Sequence, residues 1–224
     1  MNAPNKHSAN ALSDLLANNR VWAKGIRAED PDFFRKLSQQ QAPQYFWIGC
    51  SDSRVPANQI TGLLPGEMFV HRNVANVVPP ADMSSLSALQ FAVDVLKVRH
   101  VIVCGHYGCS GIGAVLRRQP LGLVDNWLQH VGCVLQKHAT QLSALADEGQ
   151  QYDRLCELNV IEQVASVCHA ISVQNAWARN QPLAVHGWIY AVSDGLLRDL
   201  GLCAAGPGDL ASGYQAAVEG QGAR

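Results

Sequence analysis

The sequence lacks a surplus of charge of either sign. Its 224 residues include 17 lysines and arginines against 18 aspartates and glutamates. No strong electrostatic field is available to gather a polyanion, so nucleic acid is disfavoured as a partner. The chain also has no run that approaches the roughly 18 apolar residues of a membrane span, which disfavours a membrane partner. Small molecules are left as candidate ligands.

An export signal is also missing from the first residues. They are polar and contain no apolar segment between a basic start and a small-residue cleavage site. Seven cysteines, an odd number, in a chain without such a signal fit free thiols and metal thiolates better than a disulfide framework. The expected location is the cytoplasm.

The sequence does have alternating strand and helix patterns. Four short apolar runs predict buried strands, at 45–49, 67–71, 101–104 and 183–190. Longer segments predict helices, as a pair at 10–40 and singly at 82–98, 123–138 and 153–178. The segment at 195–200 is expected to pair back on the last of these strands.

These patterns predict an α/β fold with a central, mainly parallel β-sheet flanked by helices and an antiparallel edge strand. A single domain is expected over residues 1–224, with an N-terminal helical arm at about 10–40 and a weakly patterned tail at about 201–224. In sheets of this kind, ligands gather beyond the carboxyl ends of the strands. Chemistry is therefore expected in the loops at that edge.

Metal-binding side chains directly follow two of the predicted strands. Cys50 and Asp52 follow the first strand, and His106 and Cys109 follow the third. If these strands are neighbours, the two loops face each other. Two thiolates, an imidazole and a carboxylate form a tetrahedral donor set that suits zinc better than calcium or magnesium. On geometry alone, a metal site and a set of core side chains are about equally expected. Cys104 lies within the third strand and is predicted to be core.

Several motifs resemble those of the β-class carbonic anhydrases. CSDSR at 50–54 and HYGC at 106–109 are similar to the paired zinc signature of that family, and FVHRNVAN at 69–76 and VHGWIY at 185–190 match further stretches. The similarity extends from about residue 12 to 200. It implies an enzyme that reversibly hydrates CO2 to bicarbonate and a proton. It also implies one Zn²⁺ per chain, with four ligands: Cys50, Asp52, His106 and Cys109.

The chemistry expected of such a site depends on Asp52 and Arg54. Zinc lowers the pKa of a bound water, so that a hydroxide can attack CO2 near neutral pH. As a fourth ligand, Asp52 closes the metal, whereas a charge-assisted pair with Arg54 opens a position for water. The resemblance implies that both states exist and that these two residues are catalytic. Two thiolates donate more charge to zinc than imidazoles do, so activity is expected to favour mildly alkaline pH.

One subgroup of the family is allosteric, with a non-catalytic bicarbonate site made of Trp, Arg and Tyr. Trp47, Arg72 and Tyr190 match that pattern. The resemblance implies that bicarbonate bound there draws the Asp52 loop towards its closed state and inhibits the enzyme. Without the resemblance, the two aromatic residues are ordinary core side chains and Arg72 is a buried pair partner.

Gln41, Val74 and Gly108 match substrate-pocket positions of the family. Gln41 then reaches towards the substrate, in its own or a neighbouring subunit, although a solvated helix end is an equally simple interpretation. Val74 supplies an apolar wall, and Gly108 supplies a backbone N–H near the bound oxygen. The resemblance also implies a homodimer or homotetramer, in which the N-terminal helices wrap around the partner.

Two other functions stay open. Enzymes that hydrolyse carbon disulfide or carbonyl sulfide resemble this family and share its ligands, and pocket access distinguishes them. A structural zinc site in a non-catalytic protein also fits the donor set, although carboxylate ligands are less usual there. A nucleoside-type zinc deaminase is excluded, because the chain has no His-x-Glu with a downstream Cys-x-x-Cys.

Overall fold

A computed structural model describes residues 7–220, with side chains from Leu12 onwards. The polar start at 1–6 and the end of the expected tail at 221–224 lie outside the described residues. The chain divides into two compact units, Met1–Gln41 and Ala42–Arg224. Within the described part, no helix is both long and apolar enough to cross a membrane.

The N-terminal unit contains the two helices predicted at 10–40. They are α1 (His7–Glu29) and α2 (Phe33–Gln39). Trp22 packs edge-on against Phe34, with ring centroids 5.7 Å apart. Four further apolar side chains of α1 are exposed: Leu12, Leu15, Leu16 and Val21.

A five-stranded sheet forms the centre of the second unit. Its strands are β1 (Tyr45–Cys50), β2 (Met68–Asn73), β3 (His100–His106), β4 (Ala184–Ala191) and β5 (Leu196–Ala204). The strand order is β2-β1-β3-β4-β5. The β4–β5 pairing is antiparallel, and the other three pairings are parallel. The predicted sheet, mainly parallel with an antiparallel edge strand, is therefore confirmed.

Both faces of the two central strands, β1 and β3, are covered. Phe46 and Ile48 point into the larger core, while Trp47 and Ile102 belong to a smaller cluster on the opposite face. Successive side chains of a strand alternate between faces, so a strand covered on both sides reads as a continuous apolar run. This is why the runs at 45–49 and 101–104 are recognisable in the sequence.

The helices of this unit connect the strands and cover the sheet. They are α3 (Ala57–Thr61), α4 (Met83–Gln90), α5 (Ser110–Leu116), α6 (Val124–Lys137), α7 (Ala139–Ser143), α8 (Glu148–His169), α9 (Ile171–Ala178) and α10 (Asp209–Val218). The longest, α8, packs against β3, β4 and β5, and against α5, α6 and α10. It therefore touches both the sheet and the elements at its carboxyl edge.

Two of the predicted helices are longer than the observed ones. The segment at 153–178 is interrupted at Ala170, whose ψ of 138° is extended, and α4 continues into a π-helical turn at Phe91–Val95. The apolar spacing passes through both places because the residues on either side pack on the same core. The expected tail is also more ordered than its pattern indicates: β5 continues to Ala204, and α10 follows.

Candidate metal centre

The carboxyl ends of β1 and β3 lie side by side, because these two strands pair in parallel. Cys50 is the last residue of β1, and His106 is the last residue of β3. Cys109 directly precedes α5, after Gly108 with φ of 70°. Glycine adopts this left-handed conformation without the strain that a Cβ brings. The tight turn returns Cys109 to the edge where the strands end.

Three side chains come together at this edge. The ligand atoms of Cys50, His106 and Cys109 all lie within 4.8 Å of one another, and the two sulfurs are 3.9 Å apart. All three residues are buried. Among the described residues, this is the only group of three or more potential ligands at such spacing. The two halves predicted from the sequence therefore form one cluster.

His106 tests whether this cluster fits a metal. Its Nδ1 donates to the carbonyl oxygen of Tyr107 at 3.0 Å, while its buried Nε2 has no hydrogen-bond partner among the described residues. Leaving a buried polar atom unpaired costs about 1–3 kcal/mol. Metal-binding histidines commonly donate their second N–H to a carbonyl or carboxylate in this way. Two sulfurs and an imidazole nitrogen close to them fit zinc.

The contact between the two thiols separates their pKa values. A hydrogen bond from Cys109 lowers the pKa of Cys50, with smaller contributions from His106 and from backbone N–H groups that include that of Ala75. The same contact raises the pKa of Cys109. Ala75 has a φ of 64°, an unusual conformation for a residue with a Cβ. Because the thiolate is the form that binds metal, a pair of thiols that share a proton in this way is suited to hold a cation.

Asp52 lies beside the cluster and is held by Arg54. Nη2 and Nε of Arg54 donate to the two carboxylate oxygens at 2.7 and 2.9 Å, and the Arg54 backbone N–H adds a bond of 2.9 Å. This pairing keeps the pKa of Asp52 well below its usual range. Its Oδ2 is 3.6 Å from Nε2 of His106, too far for a hydrogen bond. The sequence predicts two alternative partners for Asp52, the metal and Arg54. In the structure, Asp52 pairs with Arg54.

Trp47, Arg72 and Tyr190 have their side chains on one face of the sheet. The register places Gly49, two residues after Trp47, opposite Arg72. Trp47 and Tyr190 belong to the same buried cluster, and no described residue hydrogen-bonds to the indole N–H or to the phenol. Arg72 donates to the carbonyl oxygens of Cys50 and Asp52 at 2.9 and 2.6 Å. It therefore connects this face to the backbone of the metal-binding loop.

The remaining predicted positions differ in their surroundings. Gln41 is exposed, at the end of the N-terminal unit. The carbonyl oxygen of Val74 accepts a bond of 2.8 Å from Trp127, and the carbonyl oxygen of Gly108 accepts one of 3.3 Å from Arg54. Beside Val74 and the 50–52 loop, a surface groove of about 390 Å³ opens. Cys104 is buried in β3, and this burial raises its pKa.

Two tyrosines at this edge were not identified from the sequence. The hydroxyl of Tyr152 donates to the carbonyl oxygen of Cys109 at 2.6 Å, and that of Tyr107 donates to Glu157 at 2.6 Å. Tyr152 and Glu157 both belong to α8, five residues apart. The sequence gives only a weak signal for Tyr152 and Glu157, which is a helical face that carries polar residues among buried ones.

Comparison with known sequences links the site to one family. A protein-family model described as carbonic anhydrase matches residues 45–197. The chain is similar to a carbonic anhydrase of Emericella nidulans, with 48% identity over 188 residues that cover 84% of this chain and 82% of that protein. A carbonic anhydrase of Candida albicans is 40% identical over 196 residues, which cover 85% of this chain and 68% of that protein.

Solved structures agree with these sequence matches. A Coccomyxa β-carbonic anhydrase in complex with acetazolamide has a TM-score of 0.86 at 40% identity and covers 92% of this chain and 95% of its own. One of two tetrameric β-carbonic anhydrases from Sordaria macrospora has a TM-score of 0.84 at 38% identity and covers 88% of this chain and 100% of its own. The similarity therefore includes the fold as well as the motifs.

Proposed function

The chain belongs to the β-class carbonic anhydrase family, and we propose that it hydrates CO2 with one zinc ion bound by Cys50, His106 and Cys109. Family membership makes the chain a carbonate dehydratase, which interconverts CO2 and bicarbonate. The observation that carries the zinc assignment is the buried Nε2 of His106, which has no hydrogen-bond partner among the described residues and lies beside two thiol sulfurs. Zinc bound in this cluster would act as a Lewis acid and lower the pKa of a water molecule towards neutral pH.

Asp52 has the role of an acceptor that orients the reacting water. Its pKa is low because Arg54 donates to both of its oxygens, so the carboxylate stays ionised at neutral pH. An ionised carboxylate can only accept hydrogen bonds. Asp52 therefore accepts from the water and turns a lone pair of its oxygen towards CO2. Arg54 keeps the carboxylate in this position.

We also propose that Asp52 switches between Arg54 and the metal. The 3.6 Å between Asp52 Oδ2 and His106 Nε2 supports this, because the carboxylate already lies close to the cluster. Arg54 has a side chain that is 51% exposed, so solvent can compensate its charge when Asp52 leaves. As a ligand of a bound zinc, Asp52 would exclude the reacting water, and the enzyme would be inactive.

Trp47, Arg72 and Tyr190 are proposed to bind inhibitory bicarbonate. The indole N–H and the phenol, which have no hydrogen-bond partner in the described part of the chain, are suitable donors for a small anion together with a guanidinium on the same face. Arg72 also donates to the carbonyl oxygens of Cys50 and Asp52. An anion that draws this guanidinium away changes the conformation of the loop that carries Asp52. Bicarbonate would then inhibit the enzyme by favouring the state in which Asp52 binds the metal.

The other roles remain proposals of the same kind. Gln41, Val74 and Gly108 are assigned to the substrate pocket, on their match to the family. A homodimer or homotetramer is proposed, and the tetrameric relatives from Sordaria macrospora support self-association. A cytoplasmic location stays a prediction from the first residues of the sequence, as does a single functional domain over residues 1–224.

Stopped-flow CO2 hydration on purified protein of known metal content tests this function. Zinc near one per chain with fast hydration is the expected result. A matched variant, Cys50→Ser, is expected to lose both zinc and activity, because a serine hydroxyl is a poor substitute for a thiolate. Stoichiometric zinc without hydration would contradict the proposal and point to carbonyl sulfide or carbon disulfide as the substrate, to be assayed on the same sample.

A further inference from the structure

The imidazole of His106 is oriented by the carbonyl group of the next residue. Its Nδ1 donates to the Tyr107 oxygen at 3.0 Å, and this contact turns Nε2 towards the two sulfurs. The direction of that carbonyl depends on what fixes Tyr107. The Tyr107 backbone N–H donates to the carbonyl oxygen of Tyr190 in β4 at 3.0 Å, which fixes one side of the residue. The hydrogen bond of the Tyr107 side chain fixes the other side of the residue.

Glu157 of α8 anchors that side chain. The Tyr107 hydroxyl donates to Oε1 of Glu157 at 2.6 Å. The phenol is the donor of this pair, because an ionised carboxylate can only accept hydrogen bonds. Hydrogen bonds to an ionised acceptor are shorter and stronger than neutral ones. The contact therefore holds the tyrosine firmly against α8.

Arg154 holds Glu157 in turn and connects it to the C-terminal helix. Its Nη1 donates to the second carboxylate oxygen of Glu157 at 2.6 Å, and the two side chains are only 14% and 17% exposed. Its Nη2 donates to the carbonyl oxygens of Ala217 and Val218 at 3.0 and 2.6 Å. These carbonyls belong to the last turn of α10, where a helix has unpaired acceptors and a negative partial charge.

We propose that Tyr107, Glu157 and Arg154 are positioning residues that orient the imidazole of His106. Every link between Val218 and the imidazole is a hydrogen bond of 3.0 Å or less. The carboxylate and the guanidinium are largely buried, so loss of either one leaves an uncompensated charge and a disturbed neighbour. The end of α10 anchors Arg154, the outermost of the three. This inference rests on the proposed zinc function.

The chain contains a matched contact that does not reach the metal centre. Tyr214 of α10 donates to Oε1 of Glu162 in α8 at 2.5 Å, which is again a phenol bonded to a glutamate of the same helix. Gln141 donates to the same Val218 carbonyl oxygen as Arg154, at 2.6 Å. Both contacts dock α10, and neither involves Tyr107 or His106. Variants at these two contacts therefore serve as controls, because they affect the docking of α10 without changing the contacts of Tyr107 and His106.

The test compares Tyr107→Phe with Tyr214→Phe, each of which removes one hydroxyl and one hydrogen bond to α8. The zinc-loaded proteins are mixed with a chelator, and the rate of zinc release is measured. Supporting partners of metal ligands typically change metal affinity 10–100-fold, so release from Tyr107→Phe is expected to be about tenfold faster. Tyr214→Phe is expected to stay within about twofold of the unmodified protein, since nothing near the metal changes.

Cobalt substitution supplies a readout that does not depend on release. The visible absorption of Co²⁺ in the cluster reports the geometry of its ligands, and it is expected to shift in Tyr107→Phe but not in Tyr214→Phe. Arg154→Met is expected to behave like the first variant and Gln141→Ala like the second. Should Arg154→Met fail to fold, Glu157→Gln, which keeps the size of the side chain, takes its place.

Two results distinguish this inference from the function on which it rests. If Tyr107→Phe folds and matches the unmodified protein in zinc release and cobalt spectrum, the positioning role is overturned while the zinc enzyme stands. If the unmodified protein binds no zinc, the proposed function fails and the inference fails with it. Equal effects of Tyr107→Phe and Tyr214→Phe would also overturn it, because general loosening of α10 would then explain both.

Discussion

Arg54 holds both carboxylate oxygens of Asp52, at 2.7 and 2.9 Å, although Asp52 carries the acidic side chain that lies beside the metal-binding cluster. The arginine thus competes with any cation in the cluster for the same carboxylate. Its backbone N–H and its guanidinium both bind Asp52, which a residue two positions away can do only in a tight turn. The activity of the enzyme is therefore expected to depend on whether Asp52 pairs with Arg54 or binds the cation.

Replacing Arg54 with glutamine is expected to shift that competition towards the metal. Asp52 then occupies the position that water needs, and kcat/KM for CO2 hydration falls about a hundredfold while the zinc content stays near one per chain. Stopped-flow assays with metal analysis check both. The control is Arg35→Gln, which breaks a similar arginine–aspartate pair in the N-terminal unit, with Asp32 at 2.9 Å. Full activity in Arg54→Gln would exclude the switch.

The proposed zinc site predicts how hydration depends on pH. With Cys50 and Cys109 as thiolate ligands, which donate more charge to a metal than imidazoles do, zinc would acidify its water less than in a site with three histidines. We expect kcat/KM to rise between about pH 7 and pH 8.5. A profile that is flat, or that falls above neutrality, would contradict the assignment of both sulfurs as ligands of the working enzyme.

Trp47→Phe tests the proposed bicarbonate site. Phenylalanine keeps an aromatic ring in the buried cluster but has no N–H, so inhibition by added bicarbonate is expected to weaken several-fold, as loss of one hydrogen bond of about 1 kcal/mol implies. Trp188→Phe is the control, since Trp188 packs on the same cluster and is not assigned to the site. Inhibition that is unchanged in Trp47→Phe, or equally weakened in both, would remove the indole from the site.

Gly49→Ala is expected to destabilise the protein through Trp47. A Cβ at position 49 would stand 2.3 Å from Nε1 of the Trp47 side chain, which is buried and has little room to move. Overpacking of this kind costs about 1–3 kcal/mol. Gly132→Ala is the control, because nothing lies within 4 Å of a Cβ there and alanine favours the helix. Thermal unfolding of both variants compares the two; an equally stable Gly49→Ala would mean that the ring moves freely.

Glu162 gives a prediction for acid stability. Its pKa is lowered despite burial, because Lys137, Tyr214 and His138 donate to it. A carboxyl whose folded-state pKa lies below its unfolded value stabilises the fold above that unfolded pKa, and this contribution is lost as the pH falls through the folded one. Below about pH 4.3, Glu162→Gln is therefore expected to lose less stability than the unmodified protein. Urea unfolding of the metal-free proteins at pH 6 and pH 3.5 measures the difference. Parallel losses would contradict the assigned shift.

The meeting of Cys50 and His106 at one edge was predictable because local pattern and sheet topology act together. Cys50 and His106 each end a continuous apolar run, and parallel neighbours bring such ends to one edge. The state of Asp52 was not predictable, since one carboxylate oxygen lies within a small rotation of two partners. The support by Glu157 and Arg154 was equally hidden, because the contact between Tyr107 and Glu157 spans 50 positions and that between Arg154 and Val218 spans 64. No local pattern encodes separations of that length.

The helix break at Ala170 is a local feature that the sequence pattern also fails to predict. Residues on both sides bury apolar side chains in one core, so hydrophobic spacing continues across the extended residue. The tail was underestimated for a related reason. Its alanines and glycines carry little hydrophobic signal, yet Ala204 and Ala217 are buried, because a small side chain suffices where two backbones approach closely.

The approach of Cys50 and Cys109 to 3.9 Å joins positions 59 residues apart in the chain. An ion that binds both sulfurs is therefore also a cross-link, and it removes conformational freedom from the unfolded chain much as a disulfide does. For a loop of this size the chain-entropy estimate is about 4 kcal/mol, which is comparable to the whole net stability of many small domains. Chelation of zinc would then weaken the fold as well as stop the chemistry, and the temperature at which the protein unfolds would report metal occupancy directly.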